Sequence, residues 1–282
     1  MFAQEFMRNA LLTGSAVGIV SGLVGWFVVL RAQVFAGDAL SHVAFTGALA
    51  AAALGIDIRA GLFFATILGG VVVGALGDRA RADDVVIGTL FAWTLGIGVL
   101  CLTIFTTDSS GSGSNGTAGV RVLFGSIFGL STTDVHISVA LAVVAVVGVA
   151  VLARPLLFAS LDAAVAAAQG VPVRALGLVF LGLVGVVAAQ ATQAVGALLL
   201  LGLLAAPAGA AHRLTARPWL GLGLSALLAL GSVWIGLTLS YVFPTLPPST
   251  MVISTAVGIY VAALLVASRS SIRSWPRRIV QA

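Results

Sequence analysis

The chain has no lysine; all 14 of its basic side chains are arginine. A Walker A loop, GxxxxGK[ST], needs its lysine to reach the phosphates of a nucleotide. The chain therefore carries no P-loop ATPase of that kind. A single cysteine, Cys101, excludes an intrachain disulfide and a thiolate metal cluster. It lies in an apolar run and reads as a small packing residue. Charge of either sign is scarce. Only 8% of the 282 residues are charged and 60% are hydrophobic, against about 25% charged in soluble domains. A soluble fold could not cover that much apolar surface, so the chain reads as an all-α polytopic membrane protein of the cell membrane. At roughly 20 residues per span it holds about eight or nine transmembrane helices. They form one integral-membrane domain over 1–282, with no room for a sizeable soluble one. The net charge of +5 does not signal nucleic acid, because the arginines sit at the ends of apolar runs, as positive-inside anchors do.

The apolar runs predict spans at 11–30, 38–55, 60–77, 85–106, 137–153, 174–192, 194–211, 219–240 and 251–267. The first ends at Arg31 without a cleavage site, and so reads as a span and not a signal peptide. Segment 122–130 is too short to cross. Arginines near 79–81, in the 154–174 connection, at 213–217 and in the basic tail 268–282 mark the cytoplasmic side. The Gly/Ser-rich loop 107–121 then falls outside, and Arg8 leaves the side of the N-terminus open. Gly14, Gly18 and Gly22 recur every four residues, a stripe that suits either packing within the chain or a subunit interface.

Within this sparse charge one constellation stands out, Gly37-Asp38-Ala39-Leu40-Ser41-His42. On a helix, Asp38 and His42 share a face with β-carbons about 6 Å apart, close enough for both to reach one divalent ion. A carboxylate at mid-bilayer costs roughly 2.5–3.5 kcal/mol on insertion scales, so it needs a partner, a cavity or a function. A satisfied polar pair is the bland alternative. Imidazole with carboxylate suits zinc, manganese or iron. One pair supplies two ligands where zinc takes four, and a twofold-related copy would supply the other two. Residues 31–37 are candidates for backbone unwound within the membrane.

The 154–174 connection predicts a short cytoplasmic helix over about 160–170. Ser160 is placed to cap it, Asp162 to favour its positive end, Gly170 to close it and Pro172 to stop it. So short a helix is marginal in water and needs something to dock on. Elsewhere the bland readings lead. Asp83 and Asp84 read as a cap for the fourth span, and Gln190, Thr192 and Gln193 as interhelical hydrogen bonders or pathway lining. His212 reads as solvated, and for His136 near Asp134 a weak outer metal contact is only the minor alternative.

Taken in order, these residues resemble the permease subunit of metal-ion ABC importers. The matching stretches are Leu30-Arg31, the Asp38–His42 run with Gly47, and Asp83-Asp84-Val85-Val86-Ile87-Gly88. They continue with Leu123-Phe124-Gly125-Ser126-Ile127, Asp162 with Ala166, Gly170 and Pro172, and Gln193-Ala194-Val195-Gly196-Ala197-Leu198-Leu199. Pro207-Ala208 and Gly236 with Ser240-Tyr241 complete the set, over roughly 7–267. Asp83-Asp84 stands where Glu-Asp is more usual, and loop 107–121 is longer than usual. The resemblance implies a fold related to cobalamin- and siderophore-type permeases. It implies a second permease copy, most simply as a homodimer, a cytosolic ABC ATPase and an extracytoplasmic metal-binding protein. It implies that Asp38 and His42 contact the metal, and that Asp162, Ala166, Gly170 and Pro172 belong to a coupling helix for the ATPase. The chain itself is then no enzyme and holds no covalent cofactor. Zinc, manganese or iron is its transported substrate, and ATP acts in the partner.

Three rivals make distinct demands. A chelate importer of the same architecture needs no direct ligands. A secondary, proton-coupled carrier predicts inverted repeats and several intramembrane ionisable groups, and only Asp38 and His42 are strong candidates. An intramembrane enzyme needs an HExxH, a GxSxG or a catalytic aspartate pair, none of which is convincing here.

Overall fold

Long apolar runs with polar breaks dictate a bundle of membrane-crossing helices. The structure, a computed structural model, describes residues 4–76, 84–107, 125, 127–197 and 200–274. Its helices are α1 (Glu5–Leu30), α2 (Val34–Ala53), α3 (Ile58–Leu76), α4 (Asp84–Thr107), α5 (Thr132–Leu161), α6 (Ala163–Ala168), α7 (Val173–Val195), α8 (Leu200–Leu214), α9 (Pro218–Val242) and α10 (Pro248–Ser274). A 3₁₀ turn at Ile127–Gly129 precedes α5. Among the described residues eight helices are long and apolar enough to cross a membrane: all except α6 and α8.

The seventh of the nine expected spans, 194–211, is where the chain departs from its hydropathy. α7 ends at Val195 and α8 starts only at Leu200. At 15 residues and about 1.5 Å per residue, α8 is shorter than a bilayer core. The described start of the break is sunk into the bundle: Ala197 packs on Phe45 and Leu49 of α2, beside Cys101 of α4. Gly196 makes the break possible, with φ +101°, a region essentially closed to other residues. α8 still carries the chain across, because His212 near its end reaches the carbonyl of Trp26 near the end of α1.

The alternation of helices puts Arg31, Arg154, Arg174, Arg213 and Arg217 at one end of the bundle, and Arg8 and Arg59 at the other. The positive-inside rule assigns the first end to the cytoplasm and therefore starts α1 outside. Arginines 79, 81, 277 and 278, Asp83 and most of 107–121 lie outside the described residues.

The main core forms where α1, α5, α7, α8 and α9 meet, around Phe27, Phe180, Val184, Leu203 and Leu237. The glycine stripe of α1 packs within the chain: a β-carbon at Gly14, Gly18 or Gly22 would meet Val233, Ala229 or Ala226 of α9. Ser225 also donates a 2.6 Å hydrogen bond to the Gly22 carbonyl. Of the two readings of that stripe, the intrachain one holds. α2 is held against α3 at a reciprocal glycine contact. A β-carbon on Gly47 would lie 2.6 Å from the Gly61 carbonyl oxygen, and one on Gly61 2.5 Å from that of Gly47. α4 is the most outlying span, only 11% buried against 72% for α2, and it packs chiefly along α2.

Candidate functional site

α1 turns into α2 through three residues, 31–33, so the expectation of an unwound 31–37 segment narrows to that turn. Gly37 and Asp38 are already helical, and the turn is closed by backbone bonds instead of being left open. Gln33 donates to the Val28 carbonyl at 2.8 Å and Ala32 to that of Val29 at 3.1 Å. These close a Schellman-type cap in which Ala32 takes the left-handed position, φ +54°.

Asp38 therefore sits in the second turn of α2 and His42 one turn further on, both half-buried on one face. Opposite them stands α4. The His42 ring meets Phe91 edge-to-face at 4.8 Å, and Phe35 approaches Phe91 at 6.4 Å. One turn beyond, Thr46 donates to the Thr94 carbonyl at 2.8 Å, fixing α2 to α4. Ser41 bonds the Asp38 backbone carbonyl, not its carboxylate. Among the described residues no protein hydrogen bond or ion pair engages the Asp38 carboxylate or the His42 ring nitrogens. The bland expectation of a mutually satisfied polar pair is not met. A carboxylate and an imidazole, each with its ligand capacity intact, share one face of a well-anchored helix. The described residues contain no group of three or more His, Cys, Asp or Glu able to hold a metal. Among the described residues this face thus offers two candidate donors, Asp38 and His42.

At the outer end a cavity of about 520 Å³ opens between the α2–α3 turn, the start of α5 and the end of α7, lined by Asp57, Arg59, Asp134, Thr192 and Gln193 among others. Asp134 is committed there. Its carboxylate accepts from the Ser131 backbone and hydroxyl, both at 2.8 Å, and pairs with Arg59. His136 is exposed two residues away, so the suggested His136–Asp134 metal contact is replaced by a capping box and an ion pair. Gln190 bonds the Ser138 carbonyl of α5 at 3.4 Å, the interhelical role expected of it, while Thr192 and Gln193 line the cavity.

At the cytoplasmic end the short helix forms, narrower than 160–170. Ser160 does not cap it. α5 runs on to Leu161, with the Ser160 hydroxyl bonded back to the Leu156 carbonyl at 2.5 Å. Asp162 is the cap instead, accepting from Ala164 and Val165 at 2.9 and 3.0 Å. Gly170, φ +83°, closes the helix, and Pro172 leads into α7. Ala166 is fully buried, so it seats α6 on the bundle. The outward residues are Ala164, Val165, Ala167, Ala168 and Gln169.

Sequence reasoning missed the contacts of three side chains. Arg31 bonds Gln33 and Ser160 and lies 5.6 Å over the Phe180 ring. His212, expected in solvent, is half-buried and stacked on Trp26 at 4.9 Å. Arg59 pairs with Asp134. Each of the three reaches at least one residue distant in sequence, and only the Leu30-Arg31 stretch gave any sign of one of them.

Against known proteins, residues 3–267 match the model of the ABC 3 transport family. The manganese transport system membrane protein MntC of Listeria monocytogenes is 26% identical over 98% of this chain and 96% of its own length. Among solved structures, PsaBC from Streptococcus pneumoniae in complex with Fab superposes with a TM-score of 0.79 at 26% identity, over 92% of this chain and 91% of that one. An inward-facing putative metal-chelate type ABC transporter gives 0.61 at 19% identity, over 92% and 85%. This second likeness speaks for the fold alone and bears out the expected relation to chelate-type permeases.

Proposed function

The chain belongs to the ABC 3 transport family, and from that premise we propose that it is the membrane permease of an ATP-driven importer of divalent transition metal ions. Manganese leads the candidates because the Listeria relative is named for it; zinc and iron suit the same ligands. The observation that carries the reading is the Asp38–His42 face of α2, where among the described residues neither the carboxylate nor the imidazole nitrogens have a protein hydrogen-bond or ion-pair partner. A chelate carrier has no use for bare ligands on a pathway helix.

In this reading an extracytoplasmic binding protein delivers the ion at the outer end. The ion meets Asp38 and His42, and a second copy related by a twofold axis offers the same pair from its side. Four protein donors then suffice for a first-row ion. Alternatively, two donors completed by water bind weakly enough to release it. ATP is hydrolysed in a cytosolic partner that meets α6 through its exposed face, with Asp162, Gly170 and Pro172 fixing the shape of that segment and Ala166 its seat. The scarcity of other ionisable groups within the spans counts against a proton-coupled carrier.

The test is uptake of radiolabelled Mn²⁺, Zn²⁺ and Fe²⁺ in cells expressing the chain with its partner subunits, comparing wild type with Asp38→Ala and His42→Ala at matched membrane levels. Direct ligation predicts that one metal accumulates and both substitutions abolish its uptake. Persistent uptake in both variants, or transport of chelates only, would make the pair structural and favour the chelate importer.

A further inference from the structure

At the cytoplasmic end Arg31 joins the start of α2, just after it in the chain, to the end of α5 and to α7, both more than a hundred residues away. Its Nε donates to Oε1 of Gln33, the residue leading into α2, at 3.3 Å. Its Nη1 donates to the Ser160 hydroxyl in the last turn of α5 at 3.4 Å. Its guanidinium lies 5.6 Å over the ring of Phe180 in α7. Phe180 is 1% exposed and packs edge-on against Phe27 of α1 at 6.2 Å, so this anchor does not give. A small cavity of about 150 Å³ separates the α1–α2 turn from the base of α6, lined by Arg31, Ala32, Ser160 and Ala163, the first residue of α6. Arg31 reaches across it.

We propose that Arg31 is a positioning residue that carries movement of α6 to the Asp38–His42 face of α2. The inference rests on reading α6 as the element that meets the ATPase. From Ser160 to Ala163 is three residues, and from Gln33 to Asp38 is just over one helical turn. The α1–α2 turn between them is stiff, since the Gln33 and Ala32 amides are bonded back to the Val28 and Val29 carbonyls. Gln33 is 3% exposed, and its side-chain oxygen accepts from Arg31 while its Nε2 is buried without a hydrogen-bond partner among the described residues. A displacement at the base of α6 therefore reaches α2 as a shift of a rigid corner. Lysine cannot replace this function in full, because an ammonium has neither the planar fork that spans Gln33 and Ser160 nor the same stacking on Phe180.

The experiment uses the permease assembled with its ATPase and binding protein in proteoliposomes, measuring radiolabelled Mn²⁺ uptake and ATP hydrolysis on the same preparation. The readout is ions moved per ATP. A residue needed only for folding or assembly lowers both rates together and leaves that ratio alone. For Arg31→Ala the ratio is expected to fall about tenfold, with Ser160→Ala falling less and Arg31→Lys recovering part. Ser160→Ala decides the matter if Arg31→Ala fails to assemble. An unchanged ratio in the variants that assemble overturns the inference, even where both rates drop. Asp38→Ala separates the two readings. If it abolishes uptake while Arg31→Ala and Ser160→Ala keep the wild-type ratio, only the role of Arg31 fails. If wild type moves no Mn²⁺, Zn²⁺ or Fe²⁺, or if Asp38→Ala transports normally, the importer reading fails and the role of Arg31 with it.

Discussion

His42 and Phe91 meet edge-to-face, with ring centroids 4.8 Å apart and planes at 87°. The contact lies between α2 and the most outlying span, α4, and restrains how the imidazole of the Asp38–His42 pair is presented. Edge-to-face pairs contribute about 0.5–1.5 kcal/mol beyond their buried area.

Phe91→Leu keeps most of the apolar volume and removes the ring. If the contact orients His42, the variant raises the half-saturating metal concentration by roughly twofold to tenfold, the range that this energy implies, with membrane abundance unchanged. Uptake measured over a metal titration checks it. An unaltered titration curve would mean that His42 is oriented by α2 alone.

The Gly47–Gly61 contact sets a second requirement, because α2 needs close backing from α3 to keep its pair in register. A β-carbon on Gly47 would lie 2.3 Å from that of Ala65. Gly47→Val forces the two helices apart at a cost of about 1–3 kcal/mol. The expected result is a lower midpoint in thermal unfolding of the detergent-solubilised protein, followed by tryptophan fluorescence. Gly61→Val strains the same contact, so the double variant should cost less than the sum of the two.

What the sequence disclosed and what it hid divide along local and non-local lines. The pairing of Asp38 with His42 was legible because an i, i+4 spacing is a property of one helix. Gly170 as a left-handed closing residue was legible for the same reason. The spans followed from hydropathy, except the one expected at 194–211. There Gly196 breaks a continuous apolar run without any polar signal. Ser160 looked like a cap because serine caps helices well. Its hydroxyl instead bonds back to Leu156, and Pro155 sits inside α5 without ending it. His212 was read as solvated because its neighbour is Arg213, whereas its partner Trp26 lies 186 residues away. Arg59 and Asp134 are likewise brought together only because α3 and α5 both pack against α7. No periodicity reports such contacts, and they are the ones that link the two ends of the molecule to its centre.

Asp162 offers the most discriminating substitution at the cytoplasmic end. Its carboxylate accepts from the amides of Ala164 and Val165, and the six-residue α6 has little else to hold its first turn. An isolated helix of that length does not persist in water. Removing the cap in Asp162→Ala costs about 1 kcal/mol, most of it felt locally. Hydrogen exchange at the Ala164 and Val165 amides should quicken by about fivefold to tenfold, while exchange in α7 stays slow. Asp162→Asn keeps an acceptor of nearly equal capping strength but loses the charge. If Asp162 acts through helix geometry, Asn restores both slow exchange and the ATPase activity of the assembled complex, and Ala restores neither. If Asn exchanges slowly yet fails to support hydrolysis, the negative charge itself is what the partner recognises, and the exposed carboxylate is a contact residue as well as a cap.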